Sequence, residues 1–318
     1  MLWTGVIFGL LTTLTWSIGI FPFTQAARRL GVNPLNHFRL MLATVIIAVL
    51  CCIISWTGFS KLFSSAYSYA WFWLGLSGII GLTIGDYFAF AMYAILGARI
   101  GSVLTTFAPA AALVLGLFIL DEHISWIGIA GIACTMAGVI YLSLSRSERT
   151  GIPDHGHGSV FKGIIFGILA ALCQGAGLVL AKKGFQTGII SGHEIQPMNA
   201  TFIRLSVGTS SLILLTLFQR RWKEISEPIL QNKNKGLPFA VAGTFFGPVA
   251  GVTLSLYTVL FIDPSFAQTI FSLVPVFALF IARIFLKEKI SAKAIVGVCV
   301  AIAGVMILIW RDQLNQLF

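Results

Sequence analysis

The sequence predicts an all-α membrane protein with about ten transmembrane helices arranged as two inverted five-helix repeats. Three observations support this fold class: an apolar composition, about ten apolar stretches of the right length, and a sequence pattern that occurs twice. Of the 318 residues, 57% are hydrophobic and 10% are charged. So little polar surface could not cover a soluble core of this size, and we therefore expect the chain to lie in a lipid bilayer.

The apolar stretches set the number of helices. A transmembrane helix needs roughly 20 mostly apolar residues, and about ten segments meet this requirement, half of them in each half of the chain. The first segment is long for a signal-peptide core and has no basic leader, which favours a retained helix. The predicted spans lie near residues 3–27, 33–57, 71–95, 101–120, 126–144, 161–183, 198–218, 238–260, 265–286 and 293–310.

The repeat stays in register over several predicted helices. The sequence LDEHIS at residues 120–125 returns 166 residues later as LKEKIS, and Pro109 matches Pro275 at the same offset. Because each half has an odd number of spans, the second half enters the membrane from the opposite side, so the repeats are inverted. The predicted boundaries are a first repeat at 1–144, a linker at 145–160, a second repeat at 161–310 and a C-terminal tail at 311–318.

The basic residues predict the orientation of the chain. Most Lys and Arg residues lie in or beside the odd-numbered loops, so the positive-inside rule places these loops in the cytoplasm and both termini outside. The formal net charge of +10 arises mostly from these short loops, where basic residues act as topology signals and contact lipid headgroups. We therefore expect the lipid bilayer, and no nucleic acid, as a partner.

No residue pattern indicates a catalytic site, a metal or a cofactor. The five cysteines lie in apolar spans without metal-ligand spacing, which favours packing roles. In the linker, Asp154, His155 and His157 could bind a metal, but a Gly-rich loop supplies no rigid geometry, so a solvated linker is preferred. The sequence contains no P-loop pattern, which argues against ATP hydrolysis.

Asp86 is the only acidic residue predicted to lie deep in a span. Ionisable groups at such depth are costly and mark function by default, although an interhelical bond of structural use is the alternative. Arg39 and Arg204 occupy equivalent places in the second and seventh spans. They could anchor at headgroups, pair with a carboxylate or meet an anionic substrate, and we assign them a structural or coupling role. We expect Asp86 to face a cavity or a basic partner such as Arg39.

Polar and aromatic residues on several predicted helix faces favour a central cavity between the halves. Pro109 and Pro275 interrupt the fourth and ninth spans at symmetric positions, which suits a hinge, a binding site or a packed kink. Trp16 lies in the middle of the first span and contacts either the core or a ligand. The predicted substrate-binding residues are Trp16, Asp86, Tyr87, Thr105, Pro109, Gln174, Tyr257, Gln268 and Pro275.

A set of residues recurs in both halves or marks the first one: Trp16, Arg39, Pro109, the 120–125 motif, Gly131 and Gly138, with Arg204, Pro275, Glu288, Gly297 and Gly304 in the second half. With these residues the chain resembles the paired EamA domains of the drug/metabolite transporter superfamily. The resemblance covers nearly the whole chain outside the linker and is specific to the family, although not to a substrate. One departure is Gln174, which stands where the first half has Trp16, so we expect the two cavity walls to differ.

The resemblance implies ten helices around a central cavity and transport of small metabolites or amino-acid-like compounds. We therefore interpret the chain as a secondary transporter of the cell membrane, an exporter by resemblance, driven by a coupling ion or by substrate exchange. One alternative is an intramembrane enzyme, but an aspartyl dyad needs two acids and only Asp86 lies deep in a span. Another is a membrane scaffold or sensor, which would leave the symmetric prolines without a use.

Overall fold

The computed structural model describes residues 1–122, 124–145, 159–285 and 292–315, and its regular elements in these ranges are helical. Most of the predicted linker, the second copy of the repeated motif at 286–291 and the end of the tail at 316–318 lie outside the described residues. Helices dominate because a spanning segment must satisfy its backbone hydrogen bonds internally. The α-helices are α1 (Leu2–Leu30), α2 (Val32–Lys61), α3 (Ser68–Gly78), α4 (Asp86–Thr105), α5 (Ala108–Ile119), α6 (Trp126–Ser145), α7 (Val160–Ile190), α8 (Pro197–Phe218), α9 (Trp222–Gln231), α10 (Leu237–Thr244), α11 (Val252–Phe261), α12 (Pro264–Phe271), α13 (Val274–Phe285), α14 (Ala292–Ile309) and α15 (Arg311–Asn315).

The helices include many long apolar stretches, as expected of a multi-pass membrane protein. Within the described ranges, seven stretches are long and apolar enough to cross a bilayer, and the total of ten spans stays a prediction. The seven are Leu2–Leu30, Val32–Ile54, Ser65–Tyr93, Val160–Ile190, Pro197–Phe218, Leu237–Phe261 and Pro264–Ile281, and shorter apolar helices cover Ala108–Ile119, Trp126–Leu142 and Lys293–Ile309.

The connection between the third and fourth predicted spans differs from the expected loop near residues 96–100. Helix α4 continues without interruption from Asp86 to Thr105. A methyl group at Gly101 would nevertheless lie 2.6 Å from the Tyr93 ring, whereas residues eight apart in a straight helix are separated by about 12 Å along its axis. The chain therefore bends sharply between these two residues, where the sequence predicted the connection.

Two π-helical segments occupy equivalent positions in the two repeats. The first, Ile79–Gly85, joins α3 to α4. The second, Phe245–Gly251, joins α10 to α11 and lies 166 residues later, the same offset as that of the repeated motif. A π-helix closes its hydrogen bonds over one residue more than an α-helix, and such segments are frequent at functional sites. Helix α7 packs on the first segment and α1 packs on the second, so the first helix of each repeat contacts the third span of the other.

Close glycine contacts join α6 to α14. Methyl groups at Gly138 and Gly297 would each lie within 3 Å of the other residue's carbonyl oxygen, at 2.8 and 2.9 Å, and Gly131 and Gly304 show the same reciprocal contact at 2.9 and 2.7 Å. Because glycine has no side chain, the backbones of the two helices can approach closely at these positions. The reciprocal pairing is the pattern expected of two repeats related by a two-fold axis.

Candidate functional site

Arg39 and Asp86 form a largely buried ion pair beside the first π-helical segment. Asp86 begins α4 directly after that segment, and its Oδ2 pairs with Arg39 Nη2, with 14% and 5% of the two side chains exposed. Arg39 also donates from Nε and Nη2 to Asn36 Oδ1 at 3.0 and 2.8 Å, and from Nη2 to the Leu82 carbonyl at 3.4 Å. The Phe90 ring centroid lies 5.0 Å from its Cζ. Asp86 therefore pairs with Arg39, which is the basic partner suggested by the sequence.

Two glutamines extend this pair into the second repeat. Gln174 of α7 donates from Nε2 to Asp86 Oδ1 at 3.2 Å. Gln268 of α12 is buried and donates from Nε2 to the Gln174 carbonyl at 3.0 Å. Both carboxylate oxygens of Asp86 thus accept a hydrogen bond, one from each repeat. We call Arg39, Asp86, Gln174 and Gln268 the polar network.

Arg204 occupies in α8 the place that Arg39 occupies in α2, but its surroundings are different. The residue is 3% exposed, and its Nε and Nη1 have no hydrogen-bond partner among the described residues. Its Nη2 lies beside Gly81, where a methyl group would be 3.3 Å away. Asp86 acts on it electrostatically, but both oxygens of that carboxylate already have donors. Because a guanidinium stays protonated in proteins, two positive charges share one negative charge here.

Two aromatic residues of the predicted substrate site, Trp16 and Tyr257, lie where α1 packs against the second repeat. The Trp16 ring packs edge-on against Phe271 with centroids 5.0 Å apart, and a methyl group at Gly251 would overlap the Trp16 indole. The Tyr257 ring stacks on Phe8 at 5.0 Å. Trp16 therefore lies at the second π-helical segment, just as its counterpart Gln174 lies at the first.

Comparison with known proteins agrees with this architecture. The sequence profile of the EamA-like transporter family matches residues 3–144 and 161–310. The chain belongs to the EamA-like transporter family. An uncharacterized transporter of Synechocystis sp. is 23% identical over 253 residues, which cover 77% of this chain and 73% of that protein. A solved crystal structure with 13% sequence identity superposes with a TM-score of 0.67 over 95% of each chain, which indicates the fold alone.

Two other predicted site residues of this EamA-family protein lie elsewhere. Tyr87 is 43% exposed, and its ring lies 6.5 Å from that of Phe166. Thr105 forms a side-chain hydrogen bond with Tyr93. Their proposed contact with substrate stays a prediction.

The symmetric prolines follow breaks in the EamA-family helices. Pro109 is the second residue of α5, and Pro275 is the second residue of α13. Each follows an interruption of two residues, at 106–107 and 272–273. A proline fits the first turn of a helix because the amide it lacks would have no helical partner there. The fourth and ninth spans are therefore each built from two shorter helices.

A second polar cluster at one end of the spans was missed from the sequence. Arg311 Nη2 pairs with Asp263 Oδ2 at 3.1 Å, and Lys182 Nζ donates to the Val259 carbonyl at 2.7 Å near the end of α11. In the loop after α5, burial and the neighbouring Asp263 raise the pKa of Glu122 to about 7, against the opposing effect of Lys182 and Arg311. These groups come from distant parts of the chain, so no local spacing could indicate them.

The π-helical segments and Asn36 were also missed. A signal for Asn36 was present, since it lies one helical turn before Arg39 and therefore on the same face. The glycines at 81 and 85 and their counterparts at 247 and 251 fit an α-helix as well as a π-helix. In the part of the chain that the structure describes, no group of three or more His, Cys, Asp or Glu side chains could hold a metal ion.

Proposed function

We propose that this protein is a secondary transporter that exports small metabolites or amino-acid-like compounds across the cell membrane. The main support is the polar network, which is buried where the two repeats meet. Charged and amide groups are costly inside a membrane protein, and well-packed apolar side chains would join two repeats without them. Inverted-repeat transporters place their substrate sites between the repeats, near the bilayer midplane.

Irregular helices on both sides of the network provide a means of movement. The breaks before Pro109 and Pro275 divide two spans, and the π-helical segments alter two more at equivalent positions. Discontinuous helices at matching places in two repeats are typical of transporters in which one repeat rocks against the other. Such rocking exposes the network to each side of the membrane in turn.

The energy source is an ion gradient or substrate exchange, because the sequence has no P-loop. We assign proton coupling to Asp86, since a deep carboxylate is the type of group that proton relays use. In this proposal Trp16, Tyr257, Gln174 and Gln268 face the substrate.

Flux through the purified full-length protein in proteoliposomes tests the proposal. Radiolabelled L-alanine, L-leucine, L-threonine and L-phenylalanine are measured with and without a proton gradient. We expect saturable flux above that of empty vesicles for at least one compound. Asp86→Asn should reduce this flux roughly tenfold or more, the effect of about 1.4 kcal/mol or more.

Arg221→Gln is the matched control, because it removes a positive charge from an exposed surface pair with Glu224 at 2.6 Å. This variant should transport at the wild-type rate. Absence of flux for every compound, with and without the gradient, contradicts the transport proposal.

A further inference from the structure

Arg204 holds a buried positive charge that the polar network does not neutralise. Removing a charge from water costs several kcal/mol per ion even after relaxation of a real protein, so an arginine kept in this state needs a counter-charge. Asp86 is already paired with Arg39, and its second oxygen accepts the amide of Gln174. An anion from outside the chain would neutralise this excess positive charge.

We propose that Arg204 binds the carboxylate of the transported molecule, and that this molecule is a small monocarboxylate such as an amino acid. The proposal rests on the proposed transport function and specifies the chemical class of its substrate. It assigns to the two equivalent arginines different tasks: Arg39 holds Asp86 in place, and Arg204 holds the substrate.

The chemistry of the guanidinium favours a carboxylate. Its Nε and Nη1 have no partners among the described residues, and the planar fork of N–H donors matches a carboxylate in a bidentate arrangement. The local excess is one positive charge, which one carboxylate neutralises. A phosphate monoester carries about −1.5 to −2 charges and would leave the site negative.

Glycine backbone packs closely against one side of this guanidinium. Gly81 of the first π-helical segment lies against Nη2, and a methyl group at Gly177 of α7 would lie 3.0 Å from the Cα of Gly81. A side chain at Gly81 would press against the guanidinium, and one at Gly177 would press against Gly81. The sequence thus keeps one face of Arg204 lined by backbone alone.

Thermal unfolding of the purified full-length protein, followed by tryptophan fluorescence, tests the inference. The probes are the four amino acids named above, their carboxamides and inorganic phosphate. We expect at least one amino acid to raise the melting temperature, while its carboxamide, which lacks the negative charge, does not. Arg204→Met should abolish that response, and Arg204→Lys, which keeps the charge but lacks the fork, should weaken the affinity roughly tenfold.

The melting temperature without ligand separates a binding role from a structural one. Because Arg204→Met removes an uncompensated buried charge, we expect this variant to melt at a higher temperature than the wild type. Arg221→Gln should retain both the wild-type melting temperature and the wild-type response. If Arg204→Met does not fold, the weakened response of the Arg204→Lys variant is the deciding measurement.

Several results would overturn the inference. These are equal responses to an amino acid and its carboxamide, a response to phosphate alone, no response to any amino acid, or an unchanged response in both Arg204 variants. Proteoliposome flux distinguishes this failure from failure of the proposed function. Flux that is insensitive to Arg204 retains the transporter and rejects the carboxylate site, whereas absence of any flux rejects the transporter itself.

Discussion

The two repeats carry equivalent arginines and surround them differently. In the first repeat Arg39 has a carboxylate, an amide oxygen and a backbone carbonyl as acceptors. In the second, Arg204 is equally buried, and its Nε and Nη1 have no acceptor among the described residues. Val252 stands one repeat offset after Asp86 and is also buried. A duplicated framework thus becomes asymmetric in charge through a single acidic position.

The first helices of the repeats extend this asymmetry. Gln174 hydrogen-bonds at the first π-helical segment, whereas Trp16 packs against Gly251 at the second. The junction between the repeats therefore has one end rich in charges and amides and one aromatic end. A symmetric pair of halves would present the same chemistry twice, and this pair does not.

The largest effect on stability is expected from Arg39→Met, which tests the difference between the two arginines. It removes the cation that is hydrogen-bonded to Asp86, and breaking such a buried pair costs about 3–5 kcal/mol, of which the electrostatic attraction of Arg204 for Asp86 offsets a part. Its melting temperature should therefore fall, while that of Arg204→Met rises. The double variant Arg39→Met/Asp86→Leu should recover only part of the loss, because Arg204 then loses the one carboxylate that acts on it. Equal effects of the two arginine variants would refute the asymmetry.

A smaller loss of stability is expected from Gln174→Leu. This change removes one of the donors to Asp86, and leaving a buried acceptor unsatisfied costs about 1–3 kcal/mol. Gln268→Leu is the control, because its acceptor is the carbonyl of Gln174 and no charge is left unpaired. Chemical or thermal unfolding in detergent should rank the Gln174 variant as the less stable, and the reverse ranking argues against the network as described.

Val252→Asp places a carboxylate in the second repeat at the position that Asp86 occupies in the first. Burial of this charge should destabilise the protein, and pairing with Arg204 should offset part of the cost. Contacting pairs couple by about 0.5–3 kcal/mol, so the change should cost more in an Arg204→Met background than in the wild type. Zero coupling in this double-mutant cycle would mean that Arg204 does not reach its own repeat's third span.

The last effect is expected outside the spans, at Glu122, and it depends on pH. Its pKa is raised from 4.5 to about 7 in the folded protein, so between these pH values the folded chain binds a proton that the unfolded chain has lost. Stability therefore falls as the pH rises through this range. Glu122→Gln should raise the melting temperature at pH 8 and change it little at pH 4.5, whereas the exposed Glu224→Gln should not raise it at pH 8.

The sequence predicted the helical fold and the repeat, and it named Arg39 as one candidate partner of Asp86. That pair was predictable because only one acidic residue lies deep in a span and few cations can reach it. The isolation of Arg204 was not predictable, since it depends on Gln174 occupying the second oxygen of Asp86 from another repeat. The Glu122 cluster depends in the same way on Lys182, Asp263 and Arg311, which come near Glu122 only in the folded chain.

The π-helical segments have a mechanical consequence. Each contains one residue more than an α-helical path between the same end points would need, because its hydrogen bonds span five residues instead of four. If that extra residue migrated along the helix, every side chain it passed would turn by about 100° around the axis, while the ends stayed fixed. Asp86, which directly follows the first segment, is the first charge that such a migration would rotate away from its partners.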